Sequence, residues 1–166
     1  NQNYSKFALI LINDCSHDTT LKIMEQFKSA SKIPIKIVDV KANEQFWGSK
    51  KYALTLGIKA ASYEHLLFSD ADCRPISKIG IPYMGVGRNL AYTKSLFFSV
   101  NGFVNHMKIK SGDDDLFISQ VASKNNTANS FSANSFTESI PKSTFKEWVQ
   151  QKRRHVSTAS YYKSYH

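Results

Sequence analysis

Two carboxylates one residue apart close a short apolar run in His65-Leu66-Leu67-Phe68-Ser69-Asp70-Ala71-Asp72-Cys73-Arg74-Pro75. Side chains at i and i+2 of an extended segment point the same way, so Asp70 and Asp72 can face one divalent cation. Hard oxygen ligands at a partly hydrated site suit Mg²⁺ or Mn²⁺ when the ion also holds a diphosphate. Acidic turns after strands are common, so an Asp-x-Asp is weak evidence until other clusters join it. Three do: Asn13-Asp14-Cys15-Ser16-His17-Asp18, Asp113-Asp114-Asp115 and Gln151-Lys152-Arg153-Arg154-His155. A carboxylate at a helix start is favoured by capping and the dipole, which accounts for one member of the acidic triplet but not for three together.

The elements that must position these clusters follow from apolar patterning. Phe7 to Ile12 is a continuous apolar run that ends in a turn rich in capping residues, which predicts strand, turn, helix. Leu21, Ile23, Met24 and Phe27 lie roughly on one helical face, and Ile35 to Val40 reads as a second strand. Ser49 can cap a helix from Lys50 to Ala61, and strand 65 to 68 follows. Strand, helix, strand, helix, strand predicts a parallel sheet with right-handed crossovers. Pro75 cannot extend a sheet interior, so Asp70 and Asp72 are expected at a strand's C-terminal end, where open α/β sheets bind ligands.

Beyond Pro75 the expected elements are a strand over Asn89 to Thr93, a short helix near Lys94 to Val100, and a helix behind Asp113 to Asp115. A polar loop with an irregular edge strand is expected over Lys124 to Ser135, and a helix capped by Ser143 carries Phe145, Trp148 and Val149. The 166 residues, 42% hydrophobic, suffice for one core, so a single domain over 1–166 is expected. For a compact α/β domain it reads as short of chain between about 75 and 82. No apolar run approaches the roughly 20 residues that cross a bilayer. Lys and Arg total 22 against 13 Asp and Glu, a formal charge of +9 that favours anionic partners. The lysines are spread over solubilising faces with no continuous stripe, and no nucleic-acid motif is present. Cys15 and Cys73 lack metal-ligand spacing and read as reduced thiols.

The order and character of the four clusters resemble a family 2 glycosyltransferase of the GT-A fold. Ile12 to Thr20 is similar to the family's V-D-D-G-S-x-D-x-T turn, with Asn13 and Cys15 as departures. Gly48 to Leu54 resembles the family's helix start that ends in Ala-Leu, and Asp70-Ala71-Asp72 its D-x-D. Asp113-Asp114-Asp115-Leu116 is similar to its E-D-x-x-L region, and Gln151 to His155 to its Q-x-x-R-W motif, with His155 in place of Trp.

The resemblance implies an α/β fold with a mostly parallel sheet flanked by helices, its first strand not contained in the chain. It implies an inverting, metal-dependent transfer of a sugar from a nucleotide sugar, a UDP-sugar by expectation, to a hydroxyl of a glycan or lipid-linked acceptor. Asp14 and Ser16 then lie against base or ribose, Lys50 near the diphosphate, Asp70 on the nucleotide side, and Asp72, with Asp70, at Mg²⁺ or Mn²⁺. Gln151 and Arg154 take the diphosphate and His155 the acceptor or diphosphate side. The base is Asp114 if Asp113-Asp114 aligns with E-D, and Asp113 if Asp115-Leu116 aligns with a D-L ending. A cytoplasmic place, with membrane association in the complete protein, is implied in the same way.

Two other classes compete with this expectation. A sugar nucleotidyltransferase on a related sheet would release pyrophosphate and needs a Gly-rich loop beside the first strand, which is not visible. A basic binding module without activity would show salt-dependent nucleic-acid or membrane retention and no affinity for UDP.

Overall fold

The structure, a computed structural model, describes residues 4–41, 49–71, 73–75, 89–109, 111–128, 137–139, 142–156, 158 and 161. Strands β1 (Leu9–Asp14), β2 (Ile35–Val40), β3 (His65–Phe68), β4 (Cys73–Pro75), β5 (Leu90–Thr93) and β6 (Thr137–Ser139) are interleaved with five helices. These are α1 (Thr20–Ala30), α2 (Ser49–Ala60), α3 (Lys94–Ser99), α4 (Asp115–Val121) and α5 (Phe145–Val156). The elements expected up to residue 68 are all present, in the expected order. The expected loop over residues 43–48, most of the region after Pro75 and most of the expected edge strand before residue 135 lie outside the described residues.

The chain divides into two compact units. The first comprises Tyr4–Leu66 and Thr93–Lys108. Here β1 and β2 pair in parallel, from Leu9 beside Ile35 to Asp14 beside Val40. Parallel neighbours need a crossover, which α1 supplies. Both strands pack against α2, which contributes the buried Ala53 and Ile58 beside Val40 and Ile35 of β2. Within this unit Phe97 of α3 and Phe103 are 1% exposed and meet edge-to-face, with centroids 5.0 Å apart. Such pairs add about 0.5–1.5 kcal/mol beyond burial.

Three lysines of this unit are tied to backbone carbonyls. Lys36 Nζ donates to Ala60 O at 2.8 Å, and Lys94 Nζ donates to Lys59 O and Ala61 O at 3.1 and 2.8 Å. Both therefore sit at the carbonyl end of α2, where cations are favoured. Lys51, 2% exposed, donates to His106 O at 2.7 Å.

The second unit comprises Leu67–Tyr92 and Ile109–His166. The division falls within β3, whose sheet neighbour is β5. Here the expectation for Pro75 needs correction. Cys73, Arg74 and Pro75 form a short strand, antiparallel to β6, with Pro75 opposite Thr137. A proline is tolerated because the ladder has only two strands, so its missing N–H can face away from the partner. The described strands pair as three two-stranded sheets, β1–β2, β3–β5 and β4–β6, of which the first is parallel and the last antiparallel. The cap of α5 is also displaced by one residue. Thr144 Oγ1 accepts from Glu147 N, and Glu147 Oε2 accepts from Thr144 N, both at 3.3 Å. This is a reciprocal capping box, with Ser143 as an additional donor to Glu147 at 3.3 Å.

Helix α2 approaches β1 closely at Gly57. A Cβ there would lie 2.4 Å from Ile12 Cδ1 and 3.1 Å from Ile12 Cγ1, next to the start of the Asn13 turn. Gly57→Ala is expected to be nearly neutral in urea unfolding, because about 1 kcal/mol of helix propensity offsets a small shift of the Ile12 tip. Gly57→Leu should cost about 1–3 kcal/mol by overpacking. A Leu variant as stable as the parent would show that α2 is not seated on β1 at this point.

Candidate functional site

β1 delivers Asp14 as its last residue, half-buried. The turn beyond it is built by Asn13, which is 3% exposed. Its Nδ2 donates to Asp39 Oδ1 at 2.7 Å, and its Oδ1 accepts from Ser16 N at 3.3 Å. Asn13 and Asp39 are direct neighbours in the β1–β2 register, so strand pairing itself brings the amide to the carboxylate. Between them the chain turns at Cys15, with φ 56°, and the thiol donates to Val40 O at 3.0 Å. This left-handed conformation suits glycine, which explains why the V-D-D-G-S pattern has Gly where this chain has Cys. Cys15 and Cys73 form no disulfide.

Ser16 is exposed, and its described contact is through the backbone N–H. Asp18 Oδ1 accepts from Thr20 N at 2.9 Å and so supports the start of α1; this hydrogen bonding holds its carboxyl below the usual range. Lys50 lies exposed in the first turn of α2. Asp14, Ser16 and Lys50 thus all belong to the first unit.

The second unit carries the other group. Asp70 is half-buried just beyond β3, and its carbonyl accepts from Cys73 N at 3.1 Å, closing a tight turn around the Asp-x-Asp. Asp72 itself lies outside the described residues. The strand that leads into this turn carries one end of an aromatic stack. Phe68 stacks on Tyr92 of β5, with centroids 4.6 Å and planes 27° apart, and Tyr92 meets Phe117 of α4 at 4.6 Å. The stack therefore runs from the strand that leads to Asp70 to the helix that follows Asp115. Burial pushes the Tyr92 phenol well up, and the negative charge of Asp113 adds to that shift.

The acidic triplet is differentiated. Asp114 is the N-cap of α4, and its Oδ1 accepts from Asp115 N at 2.8 Å. Asp115 Oδ1 accepts from Leu116 N at 2.7 Å, and its Oδ2 accepts from Thr158 Oγ1 at 2.6 Å. Asp113 precedes the cap, half-buried on the side of Tyr92. Gly112 lets the chain enter this arrangement: it has φ 88°, and a Cβ there would lie 2.4 Å from Leu116 Cδ1. Thr158 lies in no recognisable motif, and Lys51 falls within the Gly48 to Leu54 helix start only as one of its unspecified positions.

Gln151 is half-buried on α5, while Arg154 and His155 are placed only as helical backbone. Among the described residues no cluster of three or more His, Cys, Asp or Glu side chains can hold a metal. Also among the described residues, no helix is long and apolar enough to cross a membrane.

Residues 1–78 match the family model described as glycosyl transferase family 2. This stretch belongs to that family. It contains the Asn13 turn, the Gly48 to Leu54 helix start and the Asp-x-Asp, and the family implies a GT-A, Rossmann-like class for the α/β architecture. The chain is also similar to poly-beta-1,6-N-acetyl-D-glucosamine synthase from Staphylococcus epidermidis and to the protein of the same name from its strain RP62A. Each is 41% identical over 69 residues, which is 42% of this chain and 15% of the relative. The chain thus matches about one seventh of the length of these curated relatives. No solved structure matches. The acidic triplet and the Gln151 to His155 segment lie beyond the family match.

The Asn13–Asp39 contact makes a pH-dependent prediction. Hydrogen bonds from Lys41 first and Asn13 second hold the Asp39 carboxyl below its ordinary value. That stabilisation is present above the unfolded-state pKa of about 4 and is lost as pH falls through the lower folded value. Asn13→Asp replaces the donor by a second carboxylate, which raises a folded-state pKa instead. The variant should therefore melt lower than the parent at pH 7 and close the gap as pH falls towards about 5. A gap that widens on acidification would contradict the contact.

Proposed function

We propose that this chain belongs to an inverting glycosyltransferase that moves a sugar from a UDP-sugar to a hydroxyl of a glycan or lipid-linked acceptor. The observation that carries the reading is the family match over 1–78, which ends just after the Asp-x-Asp. The synthase named above makes poly-beta-1,6-N-acetyl-D-glucosamine by its name. UDP-N-acetylglucosamine is accordingly the first donor to examine, with an N-acetylglucosamine hydroxyl as acceptor.

In this reading Asp14 and Ser16 hold the nucleoside, and Lys50, Gln151 and Arg154 offset the diphosphate charge. His155 lies on the acceptor side. Asp70 and Asp72 would hold Mg²⁺ or Mn²⁺. Residue type supports that fit, since two carboxylates supply hard oxygens to a donor whose diphosphate oxygens complete the set, and Asp70 is half-buried just beyond β3. When bound, such an ion takes up charge that develops on the departing diphosphate.

The base assigned by this reading is Asp113. The acceptor O–H gives its proton to the Asp113 carboxylate as the oxygen attacks the anomeric carbon. The bond from that carbon to the diphosphate oxygen breaks on the opposite face, UDP leaves with the electron pair, and the configuration inverts. Asp114 is the weaker choice because its carboxylate caps α4. Asp115 is engaged through both oxygens.

The test is UDP release from a panel of UDP-sugars with Mn²⁺, together with calorimetry of UDP binding. Asp113→Asn should lower turnover by about 10²–10⁴-fold while UDP affinity is kept. Asp114→Asn retains a good capping group and should keep both stability and most of the turnover. Collapse in Asp114→Asn with Asp113→Asn spared would reverse the assignment. Pyrophosphate in place of UDP would replace the reading by nucleotidyl transfer.

A further inference from the structure

Thr158 lies just beyond α5 and is fully buried, at 0% exposure. A buried hydroxyl must be hydrogen-bonded or its desolvation goes uncompensated. Here it donates to Asp115 Oδ2 at 2.6 Å, a short bond of the charge-assisted kind, across 43 residues of chain. Its carbonyl meanwhile accepts from Tyr161 N at 2.9 Å, so its backbone is held as well.

The other end of this contact is equally constrained. Asp115 Oδ1 accepts from Leu116 N, and the Asp115 N–H is the donor that Asp114 caps. A Cβ on Gly112 would also lie 3.1 Å from Asp115 Oδ1. Asp115 is thus confined by Gly112 and Thr158, and its peptide sets the direction of the Asp114 cap. Asp113 lies between Gly112 and that cap, with few remaining ways to orient.

We propose that Thr158 is a positioning residue for sugar transfer: through Asp115 it locks the first turn of α4 and so aims Asp113 at the acceptor hydroxyl. It also links a residue just beyond α5 to the acidic triplet through one hydrogen bond. The proposal rests on the transfer reading above. A positional role affects the chemical step more than donor binding, because misplacing a reacting group by a fraction of an ångström is costly to rate.

The experiment measures kcat and KM for UDP release from UDP-N-acetylglucosamine by the purified chain and by Thr158→Val, Thr158→Ala and Thr158→Ser. Valine keeps the shape and removes the donor; alanine serves if valine does not fold. The expected result is a kcat about tenfold lower or more in Thr158→Val or Thr158→Ala, with donor KM within about twofold. Thr158→Ser should recover kcat to within about threefold, because it restores the hydroxyl. An active parent with an equally active Thr158→Val variant overturns the positioning role and leaves the transfer reading intact. So does a serine variant as slow as valine at parental melting temperature. An inactive parent overturns the transfer reading itself, and the role of Thr158 falls with it.

Discussion

A polar side chain withdrawn from water must find partners for its hydrogen-bonding atoms, and in each unit one such residue decides the shape of a functional loop. Asn13 does this in the first unit. Its amide joins Asp39 on the neighbouring strand to the backbone of Ser16, so the β1–β2 register extends into the turn. Asp115 does it in the second unit, where its two oxygens join Leu116 N to the Thr158 hydroxyl. The cost of leaving either group unsatisfied, about 1–3 kcal/mol, is a large fraction of the stability of a domain this size. Loop geometry and stability are therefore selected together. The exposed residues beside them, Ser16 above all, can be given over to a ligand.

The same requirement changes the meaning of the net charge. A charge of +9 favours anionic partners when the cations are on the surface and uncommitted. Lys36 and Lys94 instead terminate α2 by binding its last carbonyls, and Lys51 is buried against His106 O. Part of the basic composition is thus structural. The last turn of α2 carries Gly57, Ile58, Lys59 and Ala60, and its terminal carbonyls are met by side chains from outside the helix. Lysines from β2 and α3 supply them over a long stem.

Local signals made much of the architecture legible before any coordinates. The runs Phe7 to Ile12 and His65 to Phe68 are apolar and bounded by polar turns, and strands occur there because that pattern allows little else. What escaped depends on partners remote in sequence. Pro75 argued against a strand until Thr137, 62 residues away, provided an antiparallel neighbour. Cys15 is an unlikely residue for φ 56°, and only the pull of Val40 O on the thiol makes the position intelligible. Thr158 is one of many hydroxyl residues in the chain, and no spacing distinguishes it. The V-D-D-G-S and D-x-D likenesses were legible because they are local, and they lie inside the matched 1–78.

The acidic triplet shows how three identical residues in sequence become unlike in a fold. Alignment alone leaves two registers open, because Asp113, Asp114 and Asp115 are chemically equal until the backbone separates them. Once α4 begins at Asp115, its orphan amides need acceptors, and the adjoining carboxylates are drawn into that work. Asp114 accepts from Asp115 N and Asp115 from Leu116 N. Asp113 lies before the cap, and its charge is felt by Tyr92, which stacks between Phe68 of the strand leading to Asp70 and Phe117 of α4. Helix termination therefore makes the three carboxylates unlike: Asp114 and Asp115 each serve an amide at the start of α4, and Asp115 also holds the Thr158 hydroxyl.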